Sequence, residues 1–175
     1  MRKSADLERA AVKDVAEFMA ASARTAPKTR GIDNIETVVI EGPAETEKLA
    51  QKMRELSKSL GKPSMERDAG SVKDSPQVLV IGVKSQPAGL DCGFCGYDTC
   101  AALTKSGGIC AYNSMDLGIA VGSAVSIAAD FRVDNRVMYS VGKAAMELGF
   151  FSKGIKQALG IPLSVTGKSP YFDRK

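Results

Sequence analysis

The stretch VLVIGV, residues 78–83, carries the strongest strand signal in the chain. Its unbroken apolar character predicts a strand that is buried on both faces of a sheet. The β-branched run IETVVI, residues 35–40, predicts a second strand, and PLSVT, residues 162–166, predicts a third near the end of the chain. The fold is therefore expected to contain a small sheet built from these strands.

Helical periodicity occupies most of the remaining chain. Apolar residues at helical spacing predict helices at residues 4–26, 44–60, 114–129 and 134–148, with short helical turns at residues 99–105 and 155–159. Residues 64–75 are polar and are expected to form a connection. Because the connections between the strands are long, parallel or mixed pairing is expected rather than hairpins. The sequence predicts a helix-rich α+β (or α/β) fold with a small mixed sheet, as a single domain over residues 1–175.

The composition is that of an ordinary soluble globular protein, with 44% apolar and 25% charged residues. The net charge of +4 is modest and the basic residues are spread along the chain, so no nucleic acid is expected as a partner. Charged residues interrupt the first twenty positions, which disfavours a secretory signal. The longest apolar stretch, residues 117–129, is shorter than the roughly 20 residues of a membrane span. A cytoplasmic protein with reduced thiols and no membrane span is expected.

The chain contains no histidine and no tryptophan. Without histidine, acid–base catalysis by imidazole, Ser–His and Cys–His nucleophile pairs, and zinc sites of mixed cysteine and histidine are excluded. Four cysteines are present, all within DCGFCGYDTCAALTKSGGIC, residues 91–110. Chemistry beyond surface contacts has to start from these four thiols, and no catalytic residue is assigned.

The spacing of the cysteines, C-x2-C-x4-C-x9-C, predicts one shared site. Cys92 and Cys95 can bind one centre from a single tight turn, and Cys100 begins a short helical run whose N-terminus stabilises a thiolate. That run advances the chain by about 9 Å. Residues 106–109 can return it by a similar distance, which brings Cys110 back to the other three sulfurs. The metal ligands are therefore expected to be Cys92, Cys95, Cys100 and Cys110.

Several occupants of such a site are possible. Structural zinc favours two C-x2-C pairs, and only one is present here. Uneven spacing with glycines and an apolar surround is more typical of an iron–sulfur cluster. Two disulfides are disfavoured because no secretory signal is visible, and four unrelated buried thiols would rarely lie so close in sequence. An iron–sulfur cluster is favoured, with zinc as the main alternative.

The motif CGFCGYDTCAAL, residues 92–103, resembles the CGxCGYxxCxxxA motif of a [4Fe–4S] domain. That domain occurs in the B subunit of Rnf electron-transport complexes and in the corrinoid iron–sulfur protein. The resemblance implies that the four cysteines bind one [4Fe–4S] cluster within an embedded segment, residues 90–111. Over its full length the chain resembles an uncharacterised family of ferredoxin-domain proteins from anaerobic prokaryotes. This implies electron transfer in anaerobic metabolism, with a redox partner protein of unknown identity.

A second resemblance concerns the rest of the chain. AASARTAPKTRGIDNIETVVIEG, residues 20–42, and DLGIAVGSAVSIAADF, residues 116–131, are similar to segments of nitroreductase-type flavoproteins. This resemblance implies a nitroreductase-like fold, a homodimer, and FMN as a second cofactor. Cationic side chains bind phosphate, so Arg24, Lys28 and Arg30 are candidate contacts to the FMN phosphate. The alternative is that they are solvated charges at a helix end.

Three functions therefore remain open. The favoured one is an electron carrier with one [4Fe–4S] cluster. An iron–sulfur flavoenzyme of nitroreductase type, which would make the protein an oxidoreductase, and a zinc-stabilised interaction domain are the alternatives. Asp91 and Asp98 flank the cysteines and add negative charge, which predicts a low reduction potential. Backbone N–H groups near Gly93 and Gly96 act in the opposite direction.

Overall fold

The structure is a computed structural model, and it describes residues 1–172. The helices in this range are α1 Ser4–Thr25, α2 Pro43–Leu60, α3 Pro63–Lys73, α4 Cys100–Ser106, α5 Ala111–Asp130 and α6 Tyr139–Glu147. The strands are β1 Ile35–Glu41, β2 Gln77–Lys84, β3 Asp134–Asn135 and β4 Ile155–Ser164. A short 3-10 turn at Thr29–Gly31 precedes β1. This arrangement confirms the helix-rich α+β fold.

The strands form one sheet in the order β1-β2-β4-β3, and every pair is antiparallel. Strands β2 and β4 lie in the interior of the sheet and β1 and β3 at its edges. The expectation of parallel or mixed pairing is therefore wrong. Within residues 1–172, no helix is both long and apolar enough to cross a bilayer.

The error in strand direction comes from helix α3, which occupies the region expected to be a polar connection. Met65, Ala69 and Val72 form a buried stripe at helical spacing on α3. Gly61, with a φ of 63°, ends α2 and reverses the chain into α3. One helix between β1 and β2 would return the chain for a parallel strand. The second helix carries it back again, so that β2 runs antiparallel to β1.

Helices cover both faces of the sheet and bury two apolar cores. The first core lies between the sheet and helices α1 and α5, and the second between the sheet and helices α2, α3 and α6. Alternate side chains of a strand point to opposite faces. Accordingly, Leu79 and Ile81 of β2 enter the first core, and Val78 and Val80 enter the second. All four are fully buried, which confirms a strand buried on both faces.

Helix α6 lies unusually close to strand β4. A Cβ atom added to Gly142 of α6 would overlap the carbonyl oxygen of Ala158 on β4. A Cβ atom added to Gly160 of β4 would overlap the side chain of Val141. Two glycines, one on each element, therefore permit this contact, because neither brings a side chain into the gap.

The final third of the chain differs from the expected pattern in two places. Residues 155–159 belong to strand β4, where a helical turn was expected, and β4 overlaps the expected strand at residues 162–166 only as far as Ser164. The expected helix at residues 134–148 begins later, at Tyr139, because Asp134–Asn135 pair with the end of β4 as β3. Both differences have the same cause. Strand β4 is held between β2 and β3 by pairing with residues far away in sequence, which overrides local helical preference.

Candidate metal centre

The four cysteines lie on the segment that connects β2 to α5. Cys92 and Cys95 belong to the loop that follows β2, and Cys100 is the first residue of α4. Cys110 is the N-cap residue of α5 and has extended backbone angles. The site is therefore assembled from a loop, a short helix and the start of α5.

All four cysteines line one small cavity. Cys92 is exposed, Cys95 and Cys100 are half-buried, and Cys110 is buried with 4% of its surface exposed. All four are free thiols without disulfide partners. The structure thus brings together the four residues that the sequence singles out. In residues 1–172, no group of three or more cysteine, histidine or acidic side chains has the geometry to hold a single metal ion.

A tight turn places the first two cysteines on the cavity wall. Gly93 and Gly96 have φ values of 74° and 81°, a conformation that side-chain-bearing residues rarely adopt. The backbone N–H of Gly96 donates a hydrogen bond to the carbonyl oxygen of Gly93 at 2.9 Å. Gly93 and Gly96 therefore permit the tight turn that the sequence predicts around Cys92 and Cys95.

Helix α4 and its ending bring the chain back to Cys110. The Thr99 hydroxyl caps the helix by accepting a hydrogen bond from the backbone N–H of Ala102 at 3.1 Å. Gly107 ends the helix in the left-handed conformation. Gly108 then passes close to Leu103, where an added Cβ atom would lie 2.6 Å from a methyl group. The glycine pair thus makes the reversal that the spacing predicts.

Asp91, which also lines the cavity, closes the loop that carries the first three cysteines. Its carboxylate Oδ1 accepts a hydrogen bond from the backbone N–H of Cys100 at 2.6 Å. The backbone of Asp91 has a φ of 47°, in the left-handed region. The sequence suggested only an electrostatic role for this residue, and no sequence signal indicated the hydrogen bond.

Three hydrogen bonds tie this segment to the body of the protein. The side-chain oxygen of Asn113, on the first turn of α5, accepts one from the backbone N–H of Gln86 at 2.9 Å. The guanidinium of Arg30 donates one to the carbonyl oxygen of Ala88 at 2.8 Å. The hydroxyl of Ser85 donates a longer one, 3.3 Å, to the carbonyl oxygen of Gly108. Asn113 is a residue that the sequence analysis missed, although a lone amide near the start of an apolar helix was a visible signal.

Apolar side chains surround the cavity on its inner and outer sides. Ala88, Leu103 and Cys110 form a small buried cluster beneath it. On the outer side, the ring of Phe94 stacks on that of Tyr112, with centroids 5.7 Å apart. Phe94 remains 65% exposed, so the site lies beneath an apolar surface that solvent reaches.

The three cations considered for a phosphate site are bound to protein acceptors. The guanidinium of Arg24 forms an ion pair with Asp33 and donates to the carbonyl oxygen of Ile35 at 3.0 Å. The ammonium of Lys28 donates to three carbonyl oxygens at the end of α1, those of residues 23, 24 and 26. Arg30 holds the cysteine segment, as described above. The expectation that these residues are phosphate ligands does not fit these contacts.

Asp33 is an anionic partner shared by two of these cations. Burial acts to raise the pKa of its carboxyl group, but hydrogen bonds from the Arg24 guanidinium and from the Ile35 backbone outweigh that effect. The positive charges of Arg24 and Lys28 act in the same direction as the hydrogen bonds, so the pKa of Asp33 lies below its ordinary value.

A second buried polar contact fixes α5 beside the 3-10 turn. The carboxylate of Asp116 is buried and accepts hydrogen bonds from the backbone N–H and the hydroxyl of Thr29, each at 2.9 Å. Together with Asn113 and Gln86, these residues line a separate small cavity. The polar residues at the start of α5 are therefore used to hold neighbouring backbone.

The fold is shared with nitroreductase-type proteins. A nitroreductase family protein from Clostridium novyi NT superimposes with a TM-score of 0.63 and 15% identity, over 87% of this chain and 74% of that one. A BluB-like flavoprotein from Clostridium difficile 630 gives a TM-score of 0.59 and 20% identity, over 93% of this chain and 84% of that one. Identities this low establish the fold alone. The nitroreductase-like fold implied by residues 20–42 and 116–131 is confirmed.

Sequence similarity defines the family more narrowly. An uncharacterized protein of Archaeoglobus fulgidus is 43% identical in an alignment of 178 positions that covers 97% of this chain and 95% of that protein. The family model described as "Uncharacterized protein containing a ferredoxin domain" (DUF2148) matches residues 106–174. This chain belongs to that family of ferredoxin-domain proteins, as its full-length resemblance implied. The matched segment contains Cys110 and begins after the other three cysteines.

Proposed function

We propose that this protein binds one [4Fe–4S] cluster through Cys92, Cys95, Cys100 and Cys110 and acts as an electron-transfer protein of anaerobic metabolism. The observation that carries the proposal is that all four thiols line the same cavity. The ferredoxin-domain description of the family supports an iron–sulfur protein. Residues 90–111 would be the cluster-binding segment within a single functional domain, residues 1–175.

The donor set fits a cluster better than one zinc ion. Four thiolates around one zinc ion must lie about 3.8 Å from one another, because each Zn–S bond is about 2.3 Å in tetrahedral geometry. Within residues 1–172, the cysteines that line the cavity do not have the geometry to hold a single metal ion, whereas a cluster binds each thiolate at a different iron. Four cysteine ligands would leave no iron open to a substrate, which favours an electron carrier over an enzyme.

The residues around the thiols define how such a site would work. When bound, a [4Fe–4S] cluster accepts and donates single electrons. Leu103 and Cys110 exclude water from the inner side, while Cys92 and Phe94 are exposed on the outer side. A redox partner protein would therefore approach the Cys92 side. We propose a cytoplasmic location, because clustered cysteines bind metal more often in a compartment that keeps thiols reduced.

Anaerobic purification of the full chain tests this function. We expect about four iron atoms and about four acid-labile sulfides per chain, because a [4Fe–4S] cluster contains four of each. Stoichiometric zinc without sulfide would overturn the proposal and indicate a zinc-stabilised interaction domain. A midpoint potential well above zero would contradict the low potential expected from Asp91 and Asp98.

An iron–sulfur flavoenzyme is the second candidate, and the nitroreductase-like fold favours it. The residues present do not fit an FMN phosphate at the position first considered, because Arg24, Lys28 and Arg30 are engaged by protein acceptors. A flavin would need other ligands. Heat extraction followed by absorption and fluorescence spectroscopy decides between the candidates: a flavin released in proportion to the chain supports the flavoenzyme.

A homodimer is also part of the proposal. Along α5, Met115 and Ile119 project from a face on which Gly118 and Gly122 leave open space. This exposed face carries no charge between Ala111 and Ala129, since the one acid in that range, Asp116, is buried. A two-fold interface brings a surface against its own copy. A face without charge, with projecting side chains beside open positions, suits such self-association.

A further inference from the structure

Asp91 combines two features beside the cavity. It comes immediately before the first cysteine, and its carboxylate Oδ1 accepts a hydrogen bond of 2.6 Å from the backbone N–H of Cys100. A carboxylate acceptor makes this a charge-assisted hydrogen bond, which is shorter and stronger than one between neutral groups. The bond joins the two ends of the loop that contains Cys92 and Cys95.

The backbone of Asp91 is held in a conformation that is costly for most residues. In residues 1–172, the non-glycine residues with positive φ are Arg30, Asp91 and Arg132. Aspartate and asparagine tolerate this region better than other side-chain-bearing residues. A strained residue persists where its surroundings hold it in place. Here the hydrogen bond to Cys100 is the contact that holds it.

We propose that Asp91 is a positioning residue that closes the loop and fixes three of the four thiols on one side of the cavity. The proposal rests on the proposed function in that the thiols are taken to bind a cluster. Asp91 would not bind iron itself. It sets the distance between the segment before Cys92 and the start of α4, from which Cys100 projects. Its negative charge beside the cavity would in addition make the bound group harder to reduce.

Three variants separate these effects. Asp91→Gly removes the hydrogen bond and relieves the backbone strain, because glycine adopts positive φ freely. Asp91→Asn removes the charge. The asparagine side chain still offers an acceptor oxygen, and asparagine still tolerates the left-handed conformation. Asp98→Asn is the matched control: Asp98 is an exposed acid of the same loop, and no hydrogen bond or ion pair of its side chain is found within residues 1–172.

The first measurement is hydrogen exchange of the Cys100 amide in the protein without metal. Exchange should be about tenfold faster in Asp91→Gly than in the wild type, which corresponds to the ~1.5 kcal/mol of a hydrogen bond to a charged group. Asp98→Asn should stay close to the wild-type rate, and Asp91→Asn should lie between the wild type and Asp91→Gly, because it keeps the acceptor oxygen and loses the charge. Because no cluster is present, this measurement tests the loop closure by itself.

The second measurement is iron and sulfide content, with the midpoint potential, after anaerobic reconstitution. Asp91→Gly should bind iron and sulfide less tightly by roughly the 10–100-fold typical of a lost supporting contact. Asp91→Asn should bind them as the wild type does, with a more positive potential. Unchanged Cys100 exchange and unchanged affinity in Asp91→Gly would overturn the positioning role. A wild-type protein that takes up no iron and sulfide would instead overturn the proposed function, while the exchange result would still stand.

Discussion

Asn113 accepts a hydrogen bond from the backbone N–H of Gln86 at 2.9 Å, which ties the first turn of α5 to the chain leaving β2. The amide of Asn113 is buried, with 2% of the residue exposed. The two ends of the cysteine segment are therefore fixed to each other independently of any bound group. This contact helps to hold the long connection between β2 and α5 in a defined position, although its only helix is the short α4.

Asn113→Ala should destabilise the protein by about 1–3 kcal/mol, because the Gln86 N–H would lose its partner in a buried place. Urea denaturation followed by circular dichroism measures the free energy of unfolding. Ser126→Ala is a suitable control, since its hydroxyl bonds only to a carbonyl of its own helix on an exposed surface. Equal stability of the two variants would show that the Asn113 contact is dispensable.

Gly142→Ala should destabilise the protein by at least about 2 kcal/mol, because the added methyl group meets the backbone of Ala158 and forces α6 away from β4. Gly70→Ala provides the matched control. Gly70 lies in α3 with no atom near an added Cβ, so alanine should stabilise that helix by about 0.5–1 kcal/mol. Opposite signs in chemical denaturation are expected, and a neutral Gly142→Ala would contradict the close packing of α6.

Replacement of any one of the four cysteines by serine should weaken binding of iron and sulfide by more than the roughly 10–100-fold that loss of a supporting contact costs. Cys110→Ser is the most informative variant, because Cys110 is the buried thiol of the four and the one reached by the longest spacer. Iron and sulfide analysis after reconstitution gives the answer. Full content in Cys110→Ser would point to a site of three thiols.

Ile119→Lys should prevent dimerisation, since a two-fold interface would place the new charges near one another at a cost of several kcal/mol. We expect self-association at least about 100-fold weaker, measured by sedimentation velocity over a range of protein concentrations. Leu60→Lys changes a similarly exposed apolar residue at the end of α2, on the other side of the sheet. A dimer that survives Ile119→Lys and dissociates in Leu60→Lys would place the interface elsewhere.

The lowered pKa of Asp33 predicts a pH-dependent contribution to stability. Its carboxylate stabilises the folded state at pH values above its unfolded-state pKa, near 3.8, and this contribution is lost as the pH falls through the lower folded-state pKa. Asp33→Asn should therefore cost up to about 1 kcal/mol at pH 7, given solvent screening, and almost nothing at pH 2. Denaturation at both pH values measures this, with the exposed Asp14→Asn as control. A cost that stays constant with pH would argue against the ion pair.

The first half of the fold could be predicted because its signals are local. Helices α1 and α2 show clear periodicity, and β1 and β2 are short runs rich in valine and isoleucine between glycine and proline signals. Helix α3 is not predicted because residues 64–75 are largely polar, although Pro63 suits the first turn of a new helix. That one error reversed the expected direction of β2, since sheet topology depends on the number of helices between strands.

The grouping of the four thiols could be predicted from the sequence, but the contacts that hold their segment in place could not. The spacing of the cysteines and the glycines between them is visible along the chain, and the structure places all four thiols on one cavity. The contacts of Asp91, Asn113 and Arg30 join residues that are far apart in sequence or depend on the path of the backbone. No periodicity encodes such contacts. Lys28 is a further example: its charge suggested a contact to phosphate, but its ammonium group binds the carbonyl oxygens at the end of α1.

The position of α4 among the four cysteines has a practical consequence. Lys105 is the only lysine or arginine between Lys84 and Arg132, so trypsin has a single possible cut in that whole stretch. The peptide bond after Lys105 lies between Cys100 and Cys110. A group bound by all four thiols would hold the chain on both sides of this bond. A molecule with the group bound would therefore resist cleavage at Lys105, or its two fragments would stay joined after cleavage. In a molecule without the group, the fragments could separate. The amount of fragment released by cleavage at Lys105 would then report the fraction of molecules without a bound group.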